Sequence, residues 1–469
     1  MTPSFTASEI IESTGGELIC GKGDTLFSGL SIDSRKIGVG ELFWAIKGEH
    51  HNGNDYLKDA LEKGAIGVVS DNGLLESKLS HNVVAIKVPS SLAALQRLAS
   101  YNRRKHPVPL VAITGSNGKT TTKEITASIL GKRYEVNKNE GNLNNLIGVP
   151  LTLLDLHSDH EVAVVEMGMN RRGEIRELTT MARPDIGVIT NIGEAHLEGL
   201  GNVENIKRAK GELIEAMEGE HKVILNADDP AVMALVPFAT GDVITFGFDS
   251  NAHVRAEEAE VEWGKGTLFI LAVGTKRIPV LLPIYGIHQL YNALAASAVA
   301  FSMGFELEEI REGLEDYEPY SGRMEIISKG GITVINDSYN ANPPSLKSAL
   351  ETMAMLADGR KIAILGDMLE LGENAPLIHS DLGRYAHEKG VDMIVTFGEL
   401  AQNIAEGAIK NGMDVNKIHT FSNKGELIEY LKGEVAHGDW LLVKGSRGMK
   451  MEEITAALTE EIDDAGRDS

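Results

Sequence analysis

Cysteine is almost missing from this sequence, since Cys20 is the single example in 469 residues. One cysteine excludes an internal disulfide framework and a zinc site built from several cysteines. We interpret Cys20 as a small apolar core residue. Long apolar runs are missing too, because no uncharged stretch approaches the roughly 20 residues that cross a bilayer. The first residues, MTPSFTASEIIES, lack a basic segment followed by an apolar one. We therefore expect a cytoplasmic protein that is not inserted in a membrane.

Positive charge is also scarce. Lys and Arg number 45 against 68 Asp and Glu, which gives a formal net charge of −23. This balance argues against general binding of nucleic acid or of anionic membranes, both of which need a basic surface. If the substrates carry phosphates, a few local cations and metal ions must attract them. The composition, with 42% hydrophobic and 24% charged residues, is that of an ordinary globular protein. We expect a monomer that acts on small molecules.

The chain is long enough for about three domains of roughly 150 residues each. Residues 1–107 contain short strand-like runs separated by turn residues, which predicts a small mixed α/β domain. Residues 108–320 alternate continuous apolar runs with helices, as a doubly wound parallel sheet requires. Residues 321–469 repeat that rhythm and predict a Rossmann-like α/β domain. The expected fold class is therefore α/β with three domains.

A phosphate-binding loop of shortened form follows the first strand of the central region. In the standard pattern GxxxxGK followed by Ser or Thr, the first glycine would fall at Ile113, but the glycine here is Gly115. A strand, a glycine turn and a helix N-terminus place free backbone N–H groups at one point, which favours anion binding. Lys119 would contact the β- and γ-phosphates, and Thr120 would bind Mg²⁺. The alternative is a plain strand-to-helix turn with a chance Gly-Lys pair. The candidate nucleotide residues are Gly115, Ser116, Asn117, Gly118, Lys119, Thr120 and Thr121.

Glu166 and His196 follow neighbouring predicted strands, at the sheet edge where α/β proteins bind ligands. Together with Thr120 they suit Mg²⁺, although histidine is an unusual ligand for that ion. Taken singly, each is more often a structural polar residue.

Lys210 lies at the centre of the apolar face of the helix predicted for NVENIKRAKGELIEAMEG. Burial would lower the pKa of this lysine and leave a nucleophilic amine. The alternative is a side chain that extends to water. In a later predicted helix, HQLYNALAASAVAFSM, Asn292 lies on the same face as small residues and suits contact with an adenine ring. An equally good explanation of this polar residue is that it lies near the start of a helix, where polar side chains are common.

The sequence resembles the Mur ligases and their relative folylpolyglutamate synthetase. GSNGKTTT is similar to their GTNGKT loop, HQLYNALAA to their adenine-binding HNxxNxxAA helix, and further landmarks follow in order over nearly the whole chain. The resemblance implies ATP as a cosubstrate and two Mg²⁺ ions, with Thr120, Glu166 and His196 as metal ligands. It also implies that CO₂ converts Lys210 to a carbamate that helps to hold the second ion. Arg323 would contact the γ-phosphate and Asp337 a ribose hydroxyl.

Two stretches, YNANP and LGDMLELG, are similar to the D-alanyl-D-alanine-adding branch of that family. The DNPR motif of the branch that adds the third amino acid is absent. In the first domain, SIDSRKIGVGELFWAIKGEHHNGNDY resembles that branch's uridine-binding segment, with departures at Asn52 and Asn54. EGNLNNLIGVP matches its substrate loop. The residues that the resemblance assigns to the nucleotide sugar and the peptides are Ser31, Ser34, Arg35, Asn142, Asn144, Asn145, Tyr339, Asn340, Asn342, Lys444, Ser446 and Arg447.

The implied activity is ATP-dependent joining of D-alanyl-D-alanine to UDP-N-acetylmuramoyl-tripeptide through an acyl phosphate, in peptidoglycan precursor synthesis. The catalytic residues would be Lys119, Glu166, His196 and Lys210. The sequence leaves open another amino-acid-adding Mur ligase, a folylpolyglutamate synthetase, a P-loop kinase and a non-enzymatic nucleotide switch. It also leaves open whether the third peptide residue is lysine or diaminopimelate, and how the domains are arranged.

Overall fold

A computed structural model describes residues 4–48, 51–72, 83–193 and 197–460. These residues form three main β-sheets with helices packed around them. The α/β class with three sheet-based units, expected from the sequence, is confirmed. The α-helices of the described residues are α1 Ala7–Thr14, α2 Leu57–Glu62, α3 Ser91–Lys105, α4 Lys119–Leu130, α5 Gly148–Leu154, α6 Glu174–Ala182, α7 Leu197–Leu200, α8 Val203–Ala216, α9 Pro230–Met233, α10 Ile287–Ser302, α11 Leu307–Glu315, α12 Pro343–Leu356, α13 Ala375–Glu388, α14 Gln402–Lys410, α15 Lys424–Glu434 and α16 Glu452–Glu460.

The first sheet has five strands in the order β2-β7-β6-β5-β4. Only β2 runs antiparallel, against β7, and the other pairings are parallel. A separate two-stranded pair joins β1 to β3. The strand-like runs predicted in this region become strands. The bounds are β1 Phe5–Thr6, β2 Glu17–Cys20, β3 Leu26–Phe27, β4 Leu30–Ser31, β5 Leu42–Trp44, β6 Gly67–Ser70 and β7 Val84–Lys87.

The central sheet has nine strands in the order β16-β15-β14-β13-β12-β11-β8-β10-β9. From β9 to β14 all pairings are parallel. Because helices cover both faces, strands such as β8 are buried along their whole length, which explains their continuous apolar runs. The bounds are β8 Leu110–Thr114, β9 Val136–Lys138, β10 Val162–Glu166, β11 Ile186–Ile189, β12 Lys222–Asn226, β13 Asp242–Gly247, β14 Val254–Glu262, β15 Gly266–Val273 and β16 Lys276–Leu282.

The antiparallel extension β14-β15-β16 was not predicted, and it corrects the picture of a purely doubly wound central sheet. Its first strand, VRAEEAEVE, is rich in glutamate and contains a register shift between Glu257 and Glu260. Charged residues and bulges are common on strands with one face in water, and they hide the strand from a search for apolar runs. Gly264 and Gly274, both with positive φ, lie in the two turns.

The third sheet has six strands in the order β17-β18-β22-β19-β20-β21, and only β17 is antiparallel. The four strands predicted here, β18, β19, β20 and β22, are confirmed. The bounds are β17 Glu325–Lys329, β18 Ile332–Asn336, β19 Lys361–Gly366, β20 Met393–Phe397, β21 Ile418–Phe421 and β22 Trp440–Lys444.

The units are joined by buried polar contacts and by one aromatic contact. In α3, the Asn102 amide donates to the carbonyls of Leu153 and Leu156 at 2.8 and 2.9 Å, which fixes the first unit against α5. Trp263, in the turn between β14 and β15, contacts Trp440 at the start of β22 with ring centroids 4.6 Å apart. The central and third sheets therefore meet through two indole rings.

Candidate active site

The predicted glycine turn connects β8 to α4, and the backbone explains its two glycines. Gly115 has φ +155 and Gly118 has φ +81. A side-chain Cβ at Gly115 would lie 1.8 Å from Thr190 Oγ1, and one at Gly118 would lie 2.0 Å from Asn292 Oδ1. Glycine is therefore required at both positions for close packing as well as for conformation. The turn ends directly at the N-terminus of α4, where free N–H groups favour an anion.

Contacts from the segment that follows β11 hold the turn in shape. The Asn117 N–H donates to Asn191 Oδ1 at 2.9 Å, and the Ser116 hydroxyl donates to the Gly193 carbonyl at 3.0 Å. Thr190 Oγ1 donates to the Asn117 carbonyl at 2.6 Å. The loop is thus preorganised by the neighbouring strand end.

Glu166 ends β10, beside the glycine turn, as the sequence predicted. Register pairs it with Ile113 of β8, and the residue is only 2% exposed. Its Oε2 accepts from the Thr120 hydroxyl at 2.9 Å, and its Oε1 accepts from Asn144 Nδ2 at 2.7 Å. Both carboxylate oxygens are therefore directed by neighbouring side chains.

Arg323 reaches this centre from the third unit. Its Nη2 donates to the Thr120 hydroxyl at 3.3 Å, and its guanidinium lies over the Tyr339 ring, 4.1 Å from the centroid. Stacking on an aromatic ring orients a guanidinium without removing its charge. A fixed cation therefore faces the glycine turn.

Two lysines with lowered pKa are Lys119, which is half-buried at the start of α4 and lines the cavity, and Lys210, which is buried on α8 and does not line it. Lys119 Nζ donates to the carbonyls of Gly115 and Ser116 at 2.9 and 3.4 Å. Burial lowers the pKa of Lys119, and the charge of Arg323 adds to this effect against the opposing charge of Glu166. Lys210 is 2% exposed, and its pKa is lowered well below the usual range, first by burial and then by the charge of Lys119. The predicted burial of Lys210 within a helix, α8, is confirmed. His196 lies outside the described residues.

Asn292 lies on α10, close to Gly118 of the turn. Its Nδ2 donates to Gln289 Oε1 at 2.8 Å, and its Oδ1 accepts from the Thr122 hydroxyl at 3.3 Å. The predicted helix is confirmed. Asn292 is buried, and its Oδ1 lies 2.0 Å from the position that a Cβ at Gly118 would occupy.

A cavity of about 500 Å³ opens beside these residues. It lies where the glycine turn, the asparagine loop 142–147 and the third unit meet. Its lining includes Glu166, at the end of β10, and predicted residues from all three of these segments: Ser116, Asn117, Gly118, Lys119, Thr120, Asn142, Asn144, Asn145, Arg323, Tyr339, Asn340, Asn342, Ser446 and Arg447.

The oxygen donors at the cavity fit a hard divalent cation. A hydroxyl and a carboxylate, Thr120 and Glu166, converge beside an anion-binding turn. Mg²⁺ is typically held by one or two protein oxygens together with substrate phosphates and water. Within the described ranges, no cluster of three or more His, Cys, Asp or Glu side chains forms an all-protein metal cage. Thr120 and Glu166 would therefore suit a metal ion that is shared with a bound phosphate.

Comparison with known proteins gives matches along almost the whole chain. Three family profiles match in order: "Mur ligase family, catalytic domain" at residues 26–103, "Mur ligase middle domain" at 113–300, and "Mur ligase, glutamate ligase domain" at 322–447. The chain is 36% identical over 438 residues to a UDP-N-acetylmuramoyl-tripeptide--D-alanyl-D-alanine ligase of Bacillus subtilis, covering 93% of this chain and 94% of that protein. The chain belongs to the Mur ligase family. It is accordingly an enzyme of the ligase class.

Solved Mur ligase structures share the fold. A crystal structure of MurF from Acinetobacter baumannii superposes with a TM-score of 0.88 at 31% identity, covering 98% of this chain and 99% of that one. MurF from Thermotoga maritima in complex with ADP gives a TM-score of 0.81 at 28% identity, covering 93% of this chain and 98% of that one. The three-domain Mur ligase fold therefore describes the residues that the structure describes.

Some residues expected to bind ligands in this Mur ligase are already engaged with each other. Lys444 Nζ lies 2.5 Å from Asp337 Oδ2 and 3.0 Å from the Asn340 carbonyl. The Met324 N–H donates to the other Asp337 oxygen at 3.2 Å. Neither Asp337 nor Lys444 lines the cavity. The pair anchors β18 to β22, and the ligand roles of both residues stay predictions.

Asn342 also has a structural function. It caps α12, accepting from the Ser345 N–H at 3.0 Å, and its Nδ2 donates to Asn117 Oδ1 at 2.5 Å. This contact ties the third unit to the glycine turn of the central unit.

The predicted uridine residues lie apart from the cavity lining. Arg35 forms a two-point contact with Asp33, at 2.9 and 2.8 Å, and its side chain is 83% exposed. Ser31 Oγ accepts from the Asp33 N–H at 3.1 Å, and Ser34 is buried. These residues form a compact turn of the first unit, and their binding role stays a prediction.

Several cavity residues escaped the sequence reasoning. Leu369, Glu370 and Leu371 line the cavity from the loop after β19. Their segment, LGDMLELG, resembles the D-alanyl-D-alanine-adding branch, but the sequence predicts no ligand role for any residue in it. Glu370 has φ +64, which is uncommon for a side chain other than glycine and is typical of functional loops. These residues follow a parallel strand, and the loops at that end of parallel strands commonly bind ligands, so their position could have indicated a site.

Proposed function

We propose that the chain joins D-alanyl-D-alanine to UDP-N-acetylmuramoyl-tripeptide at the expense of ATP, as the names of its relatives indicate. One observation carries the proposal. A single cavity brings together the phosphate turn, the carboxylate of Glu166, the asparagine loop and the YNANP segment of the third unit. A nucleotide switch would need only the first of these.

The proposed ligation has two steps, and the charges around the cavity suit the first of them. The terminal carboxylate of the tripeptide attacks the γ-phosphorus of ATP, and the bond to the ADP oxygen breaks. The amine of D-alanyl-D-alanine then attacks the acyl carbon of the acyl phosphate, inorganic phosphate leaves, and the new amide nitrogen loses a proton. Lys119, Arg323 and the N–H groups of the turn screen the two anions that meet in the first step.

Thr120 and Glu166 would hold one Mg²⁺, and His196 with a carbamylated Lys210 would hold a second. When bound, the metal neutralises phosphate charge and polarises the transferred group. The chain's own contribution is the buried amine of Lys210, whose pKa is lowered by burial. It can add to CO₂, forming an N–C bond and releasing one proton, because burial disfavours the ammonium form. The cation thereby becomes an anion suited to a metal.

The remaining ligand contacts follow the predicted units. We propose that residues 1–107 bind the nucleotide sugar through Ser31, Ser34 and Arg35, that residues 108–320 bind ATP, and that residues 321–469 bind the dipeptide. Asn292 would face adenine and Asp337 the ribose. The residues that would orient the peptides are Asn142, Asn144, Asn145, Tyr339, Asn340, Asn342, Lys444, Ser446 and Arg447.

We further propose that this ligase acts in the cytoplasm as a monomer, in peptidoglycan precursor synthesis. Over the ranges that the structure describes, no helix is long and apolar enough to cross a membrane.

The decisive experiment measures ADP release and peptide product with each substrate omitted in turn. Full turnover is expected only with ATP, Mg²⁺, D-alanyl-D-alanine and a UDP-tripeptide together, and the lysine and diaminopimelate tripeptides are tested in parallel. A stable phosphorylated product without the dipeptide would identify a kinase. Product formation with a folate and glutamate instead would identify a folylpolyglutamate synthetase.

A further inference from the structure

Asn139 precedes the asparagine loop 142–147, and its side chain makes three hydrogen bonds. The residue is 1% exposed. Its Oδ1 accepts from the Glu166 N–H at 2.9 Å, and its Nδ2 donates to the Glu166 carbonyl at 3.0 Å and to the Leu143 carbonyl at 2.9 Å. One side-chain amide thus binds the backbone of Glu166 on both sides and closes the loop that follows.

A buried lysine fixes Asn139 in turn. Lys123 is fully buried on α4, the helix that also carries Thr120, and its Nζ donates to the Asn139 carbonyl at 2.5 Å. The charge of Lys123 is balanced by Glu124 at 2.9 Å. Asn139 therefore connects the phosphate-binding helix to the end of β10.

The loop closed by Asn139 delivers Asn144 to the carboxylate itself. Asn144 Nδ2 donates to Glu166 Oε1 at 2.7 Å, and the Gly168 N–H donates to the Asn144 carbonyl at 2.7 Å. The backbone of Glu166 is thus held by Asn139, and its carboxylate is directed by Asn144. A carboxylate fixed at both points is poised to present Oε2 toward Thr120.

We propose that Asn139 is a positioning residue that sets the orientation of the Glu166 carboxylate for metal binding. The inference rests on the proposed function only in taking Glu166 as a metal ligand. Residues that orient a metal ligand through hydrogen bonds typically change metal affinity by about 10- to 100-fold when they are removed. Asn139→Ala removes three hydrogen bonds, and Asn139 is not itself one of the cavity-lining residues.

Asn137 offers a matched control on β9. It is 2% exposed, lies two residues away, and donates to Asp155 at 3.4 Å without contacting Glu166. Asn137→Ala therefore removes an equally buried amide of the same type. The experiment compares both variants with the unaltered protein by measuring free Mn²⁺ with electron paramagnetic resonance, in the presence of ADP and without peptides.

We expect Asn139→Ala to weaken Mn²⁺ binding by about 10- to 100-fold, while Asn137→Ala stays within about twofold of the unaltered protein. Metal-free ADP binding should not separate the two variants, and the thermal unfolding midpoint of each is measured to show that both are folded at the assay temperature. If Asn139→Ala fails to fold, Asn139→Ser, which keeps a small polar group, should show the same direction of change. Unaltered Mn²⁺ affinity in the variant that folds, or an equal loss in Asn137→Ala, overturns the inference. Because no peptide is present, failure of the proposed ligation reaction would not affect this readout.

Discussion

The glycine turn gives a prediction whose size can be worked from the structure. Gly118→Ala must keep φ near +81 and would place its Cβ 2.0 Å from Asn292 Oδ1. The left-handed conformation costs alanine about 1 to 2 kcal/mol. Asn292 must also move, which breaks its contacts with Gln289 and Thr122, each worth about 0.5 to 1.5 kcal/mol. We expect the free energy of unfolding to fall by about 2 to 5 kcal/mol.

Gly304 provides the control. It also has φ +81, and nothing lies within 4 Å of a Cβ built on it. Gly304→Ala should therefore lose only the conformational part, about 1 to 2 kcal/mol. Urea unfolding of both variants separates backbone strain from the clash at the turn.

Calorimetry adds a functional readout. ADP binding should be weakened in Gly118→Ala, because the displaced turn no longer directs its N–H groups at the phosphates. Gly304→Ala should bind ADP as the unaltered protein does. Equal losses of stability in the two variants, with unchanged ADP affinity in both, would refute the claim that Gly118 is required by its contact with Asn292.

Three further outcomes follow from the buried charges. Lys210→Ala should abolish turnover, and added acetate should restore part of it. Lys207→Ala, on the more exposed side of the same helix, should stay active. Full turnover in Lys210→Ala would contradict the carbamate. Burial lowers the pKa of Lys210 in the folded chain below the usual 10.5, which the unfolded chain keeps. At a pH between the folded and the unfolded pKa, only the unfolded chain binds the proton. The free energy of unfolding therefore falls as the pH drops through that interval. Lys210→Met should therefore raise the free energy of unfolding at about pH 7, and urea titrations at two pH values would check it. Asp337→Asn leaves Lys444 buried without its counter-charge and should cost about 3 to 5 kcal/mol, and a thermal midpoint equal to that of the unaltered protein would argue against this pairing.

Local patterns in the sequence were sufficient to predict the strand, turn and helix of the candidate phosphate site. The strand at Leu110–Thr114 and the helix from Lys119 differ sharply in periodicity, and the turn glycines mark the change. The burial of Lys210 followed from its place in the apolar face of one helix. Such features depend on neighbouring residues, so they can be read along the chain.

Contacts between distant segments could not be read in that way. Asp337 and Lys444 are 107 positions apart, and nothing local indicates that each is the other's partner. Asn139 similarly resembles a turn residue until β9 and β10 are paired and its side chain meets the backbone of Glu166. The strand β14 was missed because its exposed face carries charge and it contains a bulge.

The meeting of two indole rings gives this protein an internal optical probe. Of its three tryptophans, Trp44 is fully buried and donates to the Ser91 carbonyl at 2.9 Å, so its emission should be constant. Trp263 is 48% exposed and stacks at a tilt on Trp440 across the boundary between the second and third sheets. Any rotation of one sheet relative to the other would change the quenching of this pair, so substrate-driven movement can be timed by stopped-flow fluorescence with no dye attached.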